Sequence, residues 1–171
     1  MPVVLAAAAL VVAVLAMMAL EAQLSAHNER VLRSKGAVEP DDDVIGWMRL
    51  AYPLGFVVIG TAGAFNSVLD RERLLWGFAV LTAAKALKFW AIASLGGRWS
   101  FRVLVLPGAP LVAGGPYRYL RHPNYLAVLG EFAGVALALS VPITGGVVAA
   151  GFGWLIWRRI RIEERALGIR S

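Results

Sequence analysis

Long uncharged stretches alternate with short polar blocks along this chain. Met1–Leu20 and Leu50–Leu69 each run 20 residues without a charge. At 1.5 Å per residue such a run spans ~30 Å of hydrocarbon. Leu74–Leu95 is a third apolar run, broken by Lys85 and Lys88, and a fourth extends from Asn124 to about Ser140 with Glu131 inside it. A fifth runs from about Val147 to Ile160. The pattern predicts an all-α polytopic transmembrane bundle of five spans. Before Gly36 the polar stretch after Leu20 reads as a continuation of the first helix, with Leu24, Val31 and Leu32 on one side. Glu39-Pro40-Asp41-Asp42-Asp43 reads as a solvated turn. Asp70–Arg73 is a tight polar connection, Gly96–Pro123 a long polar loop, and Pro142, Gly145 and Gly146 mark a hairpin turn.

Composition agrees with a membrane protein: 59% of residues are hydrophobic, 16% charged, and mean hydropathy is +0.68. Soluble domains carry about 25% charged residues. The net charge of +6 does not point to nucleic acid, because the basic residues sit at segment ends. Counted by side for five spans, Lys and Arg divide 13 against 2. The positive-inside rule then puts the C-terminus and the 96–123 loop in the cytoplasm and the N-terminus outside. The first run lacks the basic n-region of a signal peptide and reads as a retained helix. With no cysteine and two histidines, neither a thiol nucleophile nor a metal site is expected. The 171 residues are read as one integral membrane domain.

Charges inside apolar runs are costly, ~2.5–3.5 kcal/mol each at a helix centre, and call for a partner or a function. Lys85 and Lys88 are three apart and share a helix face. Both are near enough to the expected cytoplasmic end to snorkel. Glu131 lies about two turns into its span, with Lys88 or a loop arginine as its expected partner, or a ligand. The densest polar block is Gly114 to Tyr125, which holds Arg118, Arg121, His122, Asn124 and three of the four tyrosines. Pro123 suits the first turn of a helix, so His122 and Asn124 fall at a helix N-terminus, where free N–H groups favour an anion. Tyr117, Tyr119 and Tyr125 could each be an interfacial belt residue, but a belt does not explain the crowding of arginine, histidine and asparagine. Glu163-Glu164 follows the last span, and an antiparallel hairpin brings the pair back to the same mouth. Acidic groups there suit an ammonium.

No G-x-G-x-x-G, P-loop, H-E-x-x-H or G-x-S-x-G occurs, which removes Rossmann, ATPase and hydrolase readings. Arg121-His122-Pro123-Asn124-Tyr125, a hydrophobic hairpin and Glu163-Glu164 together resemble the signature of the isoprenylcysteine carboxyl methyltransferase family, related to phospholipid methyltransferases. Arg98-Trp99, Arg102, Pro107–Pro110 and Gly115-Pro116-Tyr117 are similar to its bacterial members. The resemblance covers about residues 85–167, the expected catalytic part. It implies a membrane methyltransferase using S-adenosyl-L-methionine, with Tyr117, His122, Pro123, Tyr125, Glu163 and Glu164 lining the cofactor site. Arg121 would face the reacting centre. Arg121 and Glu164 are the expected catalytic residues, and Arg121, with the intramembrane charges Glu131 and Lys88, the expected substrate-binding ones. Where the family continues into an amphipathic segment, this sequence stops six residues after Arg165, so another element is expected to complete the cofactor lid.

The expected reaction is methyl transfer to a carboxylate or hydroxyl oxygen of a lipophilic acceptor, at the cytoplasmic side of a bacterial inner membrane. Prenylated cysteine, a long-chain phenol or pyrone and phosphatidylethanolamine all present a polar head on an apolar tail. Two other readings compete: an NADPH-dependent sterol-reductase-like enzyme, and a non-enzymatic transporter or assembly subunit.

Overall fold

A computed structural model describes residues 2–40, 44–66 and 70–168. Within them the fold consists of five α-helices: α1 (Pro2–Ser34), α2 (Ile45–Asn66), α3 (Arg71–Leu95), α4 (Pro123–Ala138) and α5 (Pro142–Ala166). Short 3-10 turns at Gly96–Arg98 and Gly115–Arg118 shape the loop before α4. Helices α1, α2 and α3 are long and apolar enough to cross a membrane. At 16 residues, α4 spans only ~24 Å. The acidic run at Asp41–Asp43 lies outside the described residues, so its expected turn is not tested.

The helix limits follow local chemistry. Asp70 caps α3, its carboxylate accepting from the N–H groups of Glu72 and Arg73 at 2.8 and 3.1 Å. Pro123 and Pro142 open α4 and α5 at positions that need no N–H donor. The hairpin turn is tighter than the glycines suggested. It occupies Leu139–Val141, with Ser140 in the left-handed region at φ 57°, and α5 begins at Pro142 rather than Val147. Gly145 lies inside α5, at a point where a side chain would collide with Ala136. At its other end α5 continues past Ile160 to Ala166, which carries Glu163 and Glu164 on regular helix.

Small residues set the closest packing, between α3 and α4. A Cβ on Gly134 would stand 2.6 Å from the Leu81 nitrogen, and one on Gly130 2.9 Å from the Ala84 Cβ. Such close backbone approach is the usual cement of helices in lipid, where no hydrophobic drive exists between them. Tyr52, Phe56, Phe132 and Phe152 form an aromatic knot where α2, α4 and α5 meet, with ring centroids 4.7–5.6 Å apart. Outward faces carry large apolar residues such as Val12, Phe65, Trp76 and Ile143, all well exposed.

Candidate functional site

Two ionic clusters lie in the interior. The first joins helices across the core. Lys85 Nζ stands 3.1 Å from Glu21 and 3.2 Å from Glu131, and Lys88 Nζ 2.6 Å and 3.2 Å from the same two carboxylates. Tyr52 donates its hydroxyl to Glu131 and accepts from Lys88 at 3.0 Å. All five residues are buried. Lys85 therefore does not snorkel. The expected Lys88–Glu131 pair is present, within a larger set that Glu21 of α1 completes.

The second cluster forms where the block before α4 meets the end of α5. Tyr125 donates to Glu163 Oε2 at 2.7 Å and accepts from Arg159 Nε at 2.9 Å. His122 lies 3.4 Å from Glu164 and 3.9 Å from Glu163, its ring stacked on Tyr125 at 5.6 Å. Pro123 is buried as the first residue of α4. The two halves of the motif, 38 residues apart in sequence, thus share one site.

Two cavities border this cluster. The first, about 350 Å³, lies under the 98–112 loop and is lined by Tyr117, Arg121, His122 and Glu163. The second, about 420 Å³, lies between α1, α2 and α5 and is lined mainly by apolar groups such as Leu15, Met18, Met48 and Phe152. Tyr52 and Lys88 give the second cavity a polar end. Ser100, Asn124, Tyr125 and Arg159 line both. The shared wall therefore carries a guanidinium, a phenol and an amide. The Asn124 Oδ1 atom in that wall is buried without a hydrogen-bond partner, an acceptor able to receive a ligand's donor.

The expected site residues fall in different places. Tyr117, His122, Tyr125 and Glu163 all border the first cavity, while Glu164 is buried and supports His122. Arg121 lines the first cavity with its side chain exposed. Glu131 is fully buried and reaches the second cavity only through Lys88 and Tyr52. Tyr119 points outward, 73% exposed and beside Arg118, as a belt residue would. Burial first, and then the Glu163 carboxylate, push the Tyr117 hydroxyl well above the usual phenol range. It is a hydrogen-bond donor throughout physiological pH.

Arg159 was missed at the sequence level because it sits in a run with Arg158, Arg161 and Arg165. A signal was present: Phe152, Ile156, Arg159 and Glu163 are spaced four, three and four apart, one face of a helix. Of the four arginines only Arg159 is buried. Glu21 was likewise passed over, and Asn124, though placed at the helix N-terminus, was given no role of its own.

A first-cavity volume of 350 Å³ lies within the ~300–1,000 Å³ range of small-molecule sites. Its one lining carboxylate, Glu163, suits an ammonium or sugar hydroxyls, its arginines suit a carboxylate, and Asn124 offers an unspent acceptor. The residues present therefore fit S-adenosylmethionine. No cluster that could hold a metal occurs among the described residues.

An uncharacterized protein of Bacillus subtilis (strain 168), YpbQ, is 28% identical over 152 residues, covering 87% of this chain and 89% of its own length. An uncharacterized protein of Haemophilus influenzae is 27% identical over 146 residues, with 84% of each chain covered. No solved structure matches the chain. The sequence model of the isoprenylcysteine carboxyl methyltransferase (ICMT) family matches residues 77–169, which hold both halves of the motif and the whole of α4 and α5. The chain belongs to the isoprenylcysteine carboxyl methyltransferase family, a family of membrane methyltransferases.

Proposed function

We propose that this protein transfers a methyl group from S-adenosylmethionine to a carboxylate or hydroxyl oxygen of a lipophilic acceptor. The observation that carries the reading is the wall of Asn124, Tyr125 and Arg159 shared by two cavities, the first with more polar lining than the second. The cofactor occupies the first cavity, and the acceptor enters the more apolar second one between α1 and α2. Bound S-adenosylmethionine supplies a sulfonium-borne methyl whose transfer to oxygen leaves a neutral thioether.

The chain's own groups bind and align. Glu163 holds the cofactor's ammonium or ribose, with Tyr117 and His122 beside it. Arg159, fixed by Tyr125, orients the acceptor oxygen at the wall, and Arg121 adds positive charge from the first cavity. Two-point guanidinium contacts suit a carboxylate, which is already nucleophilic at pH 7. A hydroxyl acceptor needs a base, and His122 or Glu163 is within the cluster to serve. Alignment is the main contribution, worth up to ~7–11 kcal/mol for in-line reactants. Lys88 and Tyr52 contact the acceptor at the far polar end of its cavity, with Glu131 holding both in place.

In the membrane we place five crossings, with the short α4–α5 hairpin completing the bundle and the site facing the cytoplasm. The lysine and arginine asymmetry and the two bacterial relatives support a bacterial inner-membrane setting. The test is transfer of radiolabelled methyl from S-adenosylmethionine into a lipid extract, followed by identification of the labelled product. Calorimetric binding of NADPH with no binding of S-adenosylmethionine would overturn the assignment in favour of a reductase.

A further inference from the structure

Helix α1 lies outside the family match at residues 77–169, yet it is bonded to the loop that roofs the first cavity. Ser25 and Asn28 are buried polar residues of α1, 1% and 5% exposed. Ser25 Oγ accepts the Phe101 N–H at 2.7 Å and donates to Glu29 at 2.7 Å. Asn28 Nδ2 donates to the Trp99 carbonyl at 2.8 Å and the Gly96 carbonyl at 3.3 Å. Arg102 pairs with Glu29 at 3.3 Å and with Glu39. Val38 and Val105 exchange both backbone bonds, at 2.8 and 2.9 Å.

The Phe101 peptide is the joint in this arrangement. Its N–H goes to Ser25, and its carbonyl accepts from Arg159. Arg159 then donates to Tyr125, which donates to Glu163. Through the Phe101 backbone, hydrogen bonds therefore link α1 to Glu163. The same turns of α1, from Leu15 to Glu29, form one wall of the second cavity, while Ser100 to Leu111 roof the first.

We propose that Ser25, Asn28 and Arg102 are positioning residues that clasp the 96–105 loop to α1, so that filling the nucleoside cavity fixes Arg159 and sets the wall that α1 gives the acceptor cavity. The idea rests on the first cavity taking the nucleoside. Its physical basis is that buried donors and acceptors keep their partners when the loop shifts. Loop and α1 therefore move as one body. An occupied roof holds α1 against α2 and shapes the acceptor's entry, which makes cofactor and acceptor binding mutually favourable.

The experiment is hydrogen–deuterium exchange of the full-length protein in nanodiscs, with and without S-adenosylhomocysteine. The expected result is slowed exchange in both 99–112 and 21–34. In Ser25→Ala and Arg102→Gln proteins the ligand protects 99–112 but no longer 21–34, and its affinity falls by up to about tenfold, the scale of one lost hydrogen bond. Ser25→Thr, which keeps the hydroxyl, restores the α1 response. Protection of the loop alone in the unmodified protein overturns the coupling and leaves the methyltransferase reading intact. Absence of protection anywhere, with no calorimetric binding, overturns both. Because the unmodified protein decides the first point, misfolding of a variant cannot rescue the idea.

Discussion

The two ionic clusters, one buried and one half-buried beside the cavities, use similar residues to opposite ends. Around Lys85 and Lys88, two ammoniums face two carboxylates, Glu21 and Glu131, and Tyr52 caps the set. Around Tyr125, one buried guanidinium and a histidine face the carboxylates of Glu163 and Glu164. The first set is charge-balanced and closed, apart from the edge where Lys88 and Tyr52 meet the second cavity. The second opens onto the first cavity through His122 and Glu163 and onto both cavities through Tyr125 and Arg159. A cluster enclosed by helices serves as a tie between them, and one that borders cavities can serve as a binding site.

The largest effect that would break this contrast is expected in the balanced set. Glu131→Ala leaves a buried ammonium without compensation, which costs about 3–5 kcal/mol. The protein should then unfold at markedly lower temperature in detergent. Replacing Glu131, Glu21, Lys85 and Lys88 together by apolar residues of similar size should cost less than the single change. Equal thermal stability of Glu131→Ala and the unmodified protein would show that the set is not a tie.

Next in size is Arg159→Lys, aimed at the open cluster. Lysine keeps the charge but loses the fork that holds Tyr125 and the Phe101 carbonyl. Misplacement of this kind can lower turnover by about 10²-fold. The expected signature is a loss in kcat with S-adenosylhomocysteine affinity much less affected. Glu163→Gln should do the reverse: weaker cofactor binding by about 10–100-fold, the scale of a hydrogen bond to a charged group, with helix content unchanged by circular dichroism.

The smallest effect concerns the clasp on α1. Burial works to raise the Glu39 carboxyl, but bonds to Arg102 and Arg33 outweigh it and hold the group below its usual range. A carboxylate with a depressed folded-state pKa stabilises above its unfolded value of about 4.3, and that contribution fades as pH falls through the lower folded value. Exchange in the Val38–Val105 pairing should be flat from pH 7 to about 5, after correction for intrinsic rates, and rise only below about 4. In Glu39→Gln it should already be faster at neutral pH.

The helices and the meeting of the two motif halves were legible in the sequence. The five apolar runs became five helices, and the Arg121–Tyr125 block and Glu163-Glu164 do meet, because a short hairpin forces antiparallel neighbours together. The hairpin glycines misled as to where α5 starts, since the same residue type serves turns and close helix packing. Gly145 does the second, against Ala136.

What the sequence alone determined was therefore the helical class, the lengths of the apolar runs and the pairing of two motif halves. Each of these depends on local periodicity or on a short connection. Only the tertiary structure decided which cations turn inward. Along α5 each residue advances about 100° around the axis, so Arg158 and Arg161 face out while Arg159 faces the cavities, a choice set by what α5 packs against. It also decided that Glu21 meets lysines 64 and 67 positions away and that Ser25 holds the Phe101 peptide. Such partners come together only when separate helices dock, and no spacing along the chain records that event.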